Sequence, residues 1–478
     1  MAQVEETVSV KPLTIAGREV TTGESRTVRS PWDGASIGAV PVVGAEETRA
    51  AIDAAGDAMR EPMPAYERAA ILDRAAASIR DRRDELARLL ALEVGKPLKH
   101  ALVEVDRAVQ TLTFSAIEAR TLSGTGVAVD AHPAGAGHRG WTIRVPIGVV
   151  AAITPFNFPL NLAAHKIGPA IAAGCACVFK PAGVAPLIGL ELVRTLHEAG
   201  LPPARLSVVT GSAGKIGDVL VEDERVRMIT FTGSSEVGWD LAARAPRKHV
   251  SLELGNSTPL IVCADADLEA AAAMAAQSAN AFAGQSCISV QRVLVDAGVH
   301  DEFAEKLAGA VEALKLGDPV EPDTDVGPLI DEAARKRVGE WIDEAVEHGA
   351  ERLAGGVEEH GHLRPTVLDG VPTDVRAWES EIFGPVCGIR PFRTLDEAIE
   401  LANGTEYGLQ AGIFTRDLAT AVTATERLEF GGVTINEAPT FRVDQMPYGG
   451  TKESGNTREG PHYTVRDMTE ERMVVLRV

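Results

Sequence analysis

The sequence is short of cysteine, short of positive charge and without a long apolar run, and each shortage removes a class of protein. Its five cysteines, Cys175, Cys177, Cys263, Cys287 and Cys387, are too few and too scattered for a disulfide framework, and none has histidine or cysteine neighbours at zinc spacing. Lysine and arginine together number 47 against 68 acidic residues, a formal charge of −21 that would repel a phosphate backbone or an anionic membrane. No segment approaches the roughly 20 uninterrupted apolar residues of a membrane span. The segment 1–10 lacks the basic-then-apolar order of a secretory signal, so a cytoplasmic location is expected, with neither nucleic acid nor membrane as partner. Repeats and low-complexity tracts are absent as well.

What is present suits a multidomain globular chain. With 45% hydrophobic and 24% charged residues it can bury sizeable cores, and 478 residues exceed what one core organises, which predicts two or three domains. Ala69, Leu72, Ala75, Ala76 and Ile79 recur at helical spacing, and Leu86, Leu89 and Leu90 continue the pattern up to Gly95 and Pro97. A further amphipathic stretch covers 101–122, so the first third reads as helix. The Gly- and Ala-rich segment 123–140 breaks that pattern, as a linker or an excursion.

From Ile147 onward, β-prone runs at 147–154, 175–179, 206–210, 228–231 and 250–254 alternate with helical stretches such as 187–199. That alternation argues for parallel strands with crossover helices. A second series starts near Leu260, passes through 268–283 and 290–295 and runs beyond Trp341, which puts a boundary near Gly255. Cys175 and Cys177, alternate residues of one apolar run, read as small core side chains. The tail 463–478 ends in Met-Val-Val-Leu-Arg-Val, an apolar β-strip with no covering run beside it, and predicts pairing with another subunit.

Two segments can carry chemistry. Gly284-Gln285-Ser286-Cys287-Ile288-Ser289 sets a thiol among small polar residues, where it is either a nucleophile or a buried inert cysteine. Phe231-Thr232-Gly233-Ser234 follows a β-run and opens a helix, so backbone N–H groups and the Ser234 hydroxyl can face a pyrophosphate, although a plain strand-to-helix turn has the same signature. Gly211, Gly214 and Gly217 do not make G-x-G-x-x-G, and spacing alone leaves the cofactor open. No histidine motif near Cys287 offers the base of a cysteine hydrolase.

Six separated strings resemble the aldehyde dehydrogenase superfamily in order and approximate spacing. They are Pro-Phe-Asn-Phe-Pro-Leu at 155–160, Phe-Lys-Pro-Ala at 179–182, Phe-Thr-Gly-Ser at 231–234, Leu-Glu-Leu-Gly at 252–255, Gly-Gln-Ser-Cys at 284–287 and Glu-Ile-Phe-Gly-Pro-Val at 381–386. The resemblance implies an α/β protein with a doubly wound Rossmann-like cofactor domain (1–119 and 144–254) and a second α/β catalytic domain (255–459). A small β oligomerisation arm (120–143 and 460–478) is expected to join subunits into a homodimer or homotetramer.

By the same resemblance, Cys287 attacks an aldehyde carbon, and the oxyanion is held by the Asn157 side chain and the Cys287 backbone N–H. A hydride leaves for the nicotinamide, and Glu253 draws a proton from the water that hydrolyses the thioester. The cofactor, NAD or NADP, is expected against Thr154, Pro155, Phe156, Gly233 and Leu254. Lys180 would meet the adenosine ribose, Ser234 the pyrophosphate and Glu381 the nicotinamide ribose, with Phe383 beside it. NAD-selective relatives often carry an acid three residues after the lysine, and the residue here is Gly183, which leaves NADP open.

Departures from the pattern are Asn256 for a second glycine after Glu-Leu-Gly, Thr457 for a glycine before Arg-Glu-Gly, and Phe156 where Trp is common. Asn tolerates left-handed backbone angles, so the base loop is expected to keep its shape. The stretch 436–444 resembles branches that oxidise small polar or anionic aldehydes such as lactaldehyde or semialdehydes. Arg107 or Arg442 is the expected partner of a substrate carboxylate, with Phe156, Asn161, Phe282 and Phe441 as pocket neighbours. Ser286 stands where users of phosphorylated aldehydes often carry arginine, which argues against phosphorylated and phosphonate substrates. The rivals are a CoA-acylating dehydrogenase, which typically lacks the Glu253 carboxylate, and a non-catalytic protein that keeps the fold.

Overall fold

The computed structural model describes residues 9–356, 358–359 and 361–478. The first third is not all helix: two antiparallel pairs, Leu13–Ile15 with Arg18–Val20 and Ser25–Arg29 with Ser36–Pro41, come first. Strands of three to six residues studded with Arg18, Glu19, Ser25 and Arg26 carry too little apolar alternation to announce themselves. The helices follow as their spacing predicts, over Ala65–Asp81, Arg83–Val94 and Leu98–Thr121. Gly95 ends the second with a left-handed φ of 72°.

Two parallel-rich sheets dominate. In the first, the strands His249–Glu253, Val226–Thr232, Val149–Ile153, Ala176–Lys180 and Leu206–Val208 lie side by side in that order, all parallel. The earliest strand in sequence sits in the middle, so the winding reverses beside it, and loops at the carboxyl ends of neighbouring strands diverge to leave a crevice. Val149–Ile153 is buried along its whole length because helices cover both faces. One of them, Pro159–Ala173, is buried on every side, wedged between the sheet and Leu98–Thr121.

Between Glu253 and Thr258 the chain leaves this sheet for a second one, ordered Glu351–Ala354, Thr366–Asp369, Val386–Phe392, Val290–Asp296, Thr258–Val262, Gln410–Phe414 and Gly432–Ile435. Its neighbours are parallel except for the first pair. A third, three-stranded sheet pairs Thr469–Arg477 antiparallel with His138–Pro146, which also pairs with Gly126–Val127. The excursion near 123–140 and the C-terminal strip therefore meet within one chain. Trp141, Ile143, Met473, Val475 and Leu476 of this sheet remain exposed.

Among the described residues no helix is long and apolar enough to cross a membrane, and no group of three or more His, Cys, Asp or Glu side chains is placed to hold a metal ion. Cys175 and Cys177 are buried.

Candidate active site

The carboxyl edge of the first sheet supplies one wall of a cavity of about 390 Å³, and loops leading into the second sheet supply the other. Pro155, Phe156 and Asn157 follow Val149–Ile153, Gly233 and Ser234 follow Val226–Thr232, and Glu253 closes its own strand. Cys287 arrives just before Val290–Asp296, and Glu381 and Phe383 just before Val386–Phe392. All of them line this one cavity, together with Leu254. Thr154 and Lys180 do not line it and stand at the sheet edge beside it, where Thr154 N–H donates to the Lys180 carbonyl at 3.3 Å.

A strained turn lifts the thiol into place. The helix Leu268–Asn280 runs into Phe282 and Ala283, both left-handed at φ 52°, and Gly284 follows at φ 68°. A non-glycine residue pays for such angles only where packing enforces them. Here Gln285 does so, its amide donating to the Phe282 and Pro328 carbonyls and accepting the Ile330 N–H. Gly284 cannot be larger, because a Cβ there would strike the Gly384 carbonyl.

Cys287 Sγ lies 3.0 Å from the Tyr448 hydroxyl. Burial pushes the thiol up to about 12, the Tyr448 hydrogen bond opposes this, and the nearby Glu253 carboxylate adds to it. Asn157 is buried, and its Oδ1 accepts the Phe158 N–H at 3.1 Å, which leaves its NH₂ end for the cavity.

Glu253 is 3% exposed, and its Oε1 has no hydrogen-bond partner. Burial and the like charge of Glu459 hold its carboxyl well above the usual range, against the pull of Arg442 and Lys166. Glu459 behaves oppositely: although burial raises it, Lys166 at 2.8 Å, His165 and Arg442 bring it down to about 2. Two carboxyls pushed apart in this way divide into one that can take up a proton above the ordinary carboxylate range and a fixed negative charge. Gly449 makes room for the first, since a Cβ there would sit 2.8 Å from Glu253 Oε1.

The predicted substrate residues fare unequally. Arg107, Asn161, Phe282 and Arg442 line the cavity, but Phe441 does not; it is 49% exposed and outside it. The chain at 441–442 sends Arg442 inward, its side chain 5% exposed, and Phe441 out. Arg107 and Asn161 are committed to Asp444, at 2.9 and 3.2 Å for the two guanidinium nitrogens and 2.9 Å for the amide. Arg442 is not: its Nη2 reaches Glu459 only at 3.4 Å and His165 at 3.5 Å, its Nε has no partner, and its guanidinium lies 3.7 Å over the Tyr448 ring.

Asn256 has no left-handed angle to tolerate. It is buried, its amide donates to Thr258 at 2.7 Å and to the Gln410 carbonyl at 3.2 Å, and its backbone N–H donates to Glu381 Oε1 at 3.0 Å. Burial raises Glu381 to about 7, against that hydrogen bond. Tyr448, Glu459 and Lys166 were not singled out from sequence. The glycine pair after Met-Pro-Tyr at 446–448 was the available signal, since paired glycines mark a close backbone approach.

The residues present fit a dinucleotide. The Ser234 hydroxyl caps no backbone group of the helix Ser235–Arg244, whose N-terminus opens beside the cavity, and the buried Thr232 and Thr154 hydroxyls have no partner. A doubly wound sheet with such a helix start, a cysteine and a raised carboxyl in one crevice fits a nicotinamide-dependent oxidoreductase. The aldehyde dehydrogenase family model matches residues 19–474, and the chain belongs to that family. It is 44% identical to the 3-sulfolactaldehyde dehydrogenase of Priestia aryabhattai over 97% of each chain. Among solved structures it is similar to aldehyde dehydrogenase 21 of Physcomitrella patens in complex with the reaction product succinate, with a TM-score of 0.94 and 39% identity over 98% of this chain and 99% of that one. It is likewise similar to the NADP-dependent glyceraldehyde-3-phosphate dehydrogenase of Bacillus halodurans C-125 complexed with NADP, with a TM-score of 0.95 and 38% identity over 98% and 99% of the two chains. The protein is an NAD(P)-dependent aldehyde dehydrogenase that oxidises an aldehyde to an acid.

Proposed function

We propose that the substrate is a short aldehyde bearing a carboxylate or sulfonate, with Cys287 as nucleophile, Glu253 as base and Asn157 in the oxyanion hole. The carrying observation is the under-committed Arg442 guanidinium in the cavity of Cys287. One phenol ring, that of Tyr448, separates it from the thiol, so a three- or four-carbon aldehyde attached to Cys287 would bring its acid group to Arg442. Arginine is the favoured partner for such an anion. The sulfolactaldehyde and succinate named for two relatives carry that chemistry. A panel of acid-bearing and neutral aldehydes, followed by reduced nicotinamide, tests the reading; equal kcat/KM for both classes would overturn it.

When bound, a nicotinamide cofactor would supply the hydride acceptor. Around it, Ser234, Thr232 and Gly233 would receive the pyrophosphate, Glu381 and Phe383 the nicotinamide ribose, and Pro155, Phe156 and Leu254 would wall the site, with Thr154 and Lys180 at the adenosine end. We further propose a preference for NADP. Arg26 projects over Gly183, its exposed guanidinium occupying the space beside that glycine, and it has no ion pair among the described residues. Its charge, after the larger effect of burial, lowers Lys180. Two facing cations without a carboxylate between them suit a 2′-phosphate. Arg26→Ala should cut the NADP-to-NAD ratio of kcat/KM about tenfold, and an unchanged ratio would remove Arg26 from this role.

We also propose the division into a cofactor domain (1–119 and 144–254), a catalytic domain (255–459) and an arm (120–143 and 460–478), in a cytoplasmic homodimer or homotetramer. Thr469–Arg477 is an edge strand with exposed Met473, Val475 and Leu476, a surface that invites a second copy. Sedimentation at the 50.4 kDa of one chain at micromolar concentration would count against it.

A further inference from the structure

We propose that Tyr448 is a catalytic residue of the thiol-activation step: its hydroxyl donates a hydrogen bond to the Cys287 thiolate and so sets how much of the nucleophile is ionised. The assignment does not depend on which aldehyde or cofactor is used.

The surroundings of Cys287 oppose ionisation. The sulfur is largely enclosed, and the carboxyls of Glu253 and Glu381 line the same cavity. Among the described residues no histidine is hydrogen-bonded to it, whereas the Tyr448 hydroxyl stands 3.0 Å from Sγ. Tyr448 is 3% exposed, so no bulk water competes for its proton. Burial and the neighbouring thiol raise the phenol well above its usual value, so it keeps its proton and acts as donor throughout. The Arg442 guanidinium 3.7 Å over the ring face withdraws electron density and strengthens the O–H as a donor.

The consequence for the reaction is specific. When the thiolate lone pair forms the bond to the carbonyl carbon, the π pair moves to oxygen and the sulfur loses its charge, so the hydrogen bond weakens. When the tetrahedral adduct of water and thioester collapses, the C–S pair returns to sulfur and the hydrogen bond re-forms. Tyr448 therefore assists both the appearance of the thiolate and its departure, with no change in its own protonation.

The test is the pH dependence of iodoacetamide alkylation of Cys287 in the intact enzyme, with Cys287→Ala as background. Tyr448→Phe keeps the ring beneath Arg442 and removes only the donor. The alkylation midpoint should move up by roughly one pH unit and the rate at neutral pH should fall about tenfold, as loss of a hydrogen bond to a charged group requires. Incorporation of 3-fluorotyrosine at 448, a stronger donor of nearly the same shape, should move the midpoint down. A midpoint unchanged in Tyr448→Phe, or shifted the same way in both variants, would overturn the proposal. Thermal melting equal to the parent's shows that the fold is kept, and if Tyr448→Phe melts early the fluorotyrosine protein decides alone.

Discussion

Glu253→Gln should give one equivalent of reduced nicotinamide per site and then nearly stop. Glutamine keeps the size of the side chain, 3% exposed under Gly449, but cannot accept a proton from water. Steady-state kcat should fall by about 10²–10⁴, the usual contribution of a positioned base. The burst itself should persist, because the Glu253 carboxylate is among the groups that hold the Cys287 thiol high, and removing its charge eases ionisation. As the proposed base, Glu253 would work only when deprotonated. Burial and Glu459 raise its pKa, so hydrolysis should strengthen with rising pH across a window above the ordinary carboxylate range and be lost below it. Stopped-flow absorbance over a pH series measures burst and steady state together. Multiple turnover at the parental rate in Glu253→Gln would end its assignment as base, and acyl-CoA as the main product with CoA present would place the thioester on a different route.

Arg442→Gln should lower kcat/KM for acid-bearing aldehydes by roughly tenfold to a hundredfold relative to neutral ones of equal length, the range for a lost charged hydrogen bond. Its effect should not stop at specificity. Arg442 is one of the cations that pull Glu253 down, so its removal should move the pH profile of hydrolysis upward as well. Arg442→Lys keeps the charge without the planar fork. It should hold the pH profile near its parental position while losing part of the discrimination, which separates the electrostatic effect from the geometric one. A ratio unchanged in both variants would return the substrate anion to another group in the cavity.

Much of the molecule is legible in the sequence because it is written in short-range pattern. The alternating runs from Ile147 became the strands of the first sheet, since a strand covered on both faces needs a continuous apolar stretch, and Gly95 ended a helix because only glycine takes its left-handed angle cheaply. Four short N-terminal strands escaped, because charged, half-exposed strands have no such pattern. Cys287, Glu253 and Asn157 each sit in a local string at a strand or helix end, so a linear motif could point to them.

Which side chains meet, however, is a property of loops brought together from two sheets. Tyr448 touches Cys287 across 161 positions in sequence, and Lys166 meets Glu459 across 293. The same packing sends Phe441 to the surface, commits Arg107 to Asp444 and leaves Arg442 with binding capacity to spare. It also lays Arg26 over Gly183 from a strand with no apolar periodicity. The sequence by itself determined most of the elements and their order, because those follow from local propensity and periodicity, and its resemblance to a family pointed to the proposed reactive groups. The tertiary structure alone decided their partners, burial and pKa, because each depends on contacts that no local pattern encodes.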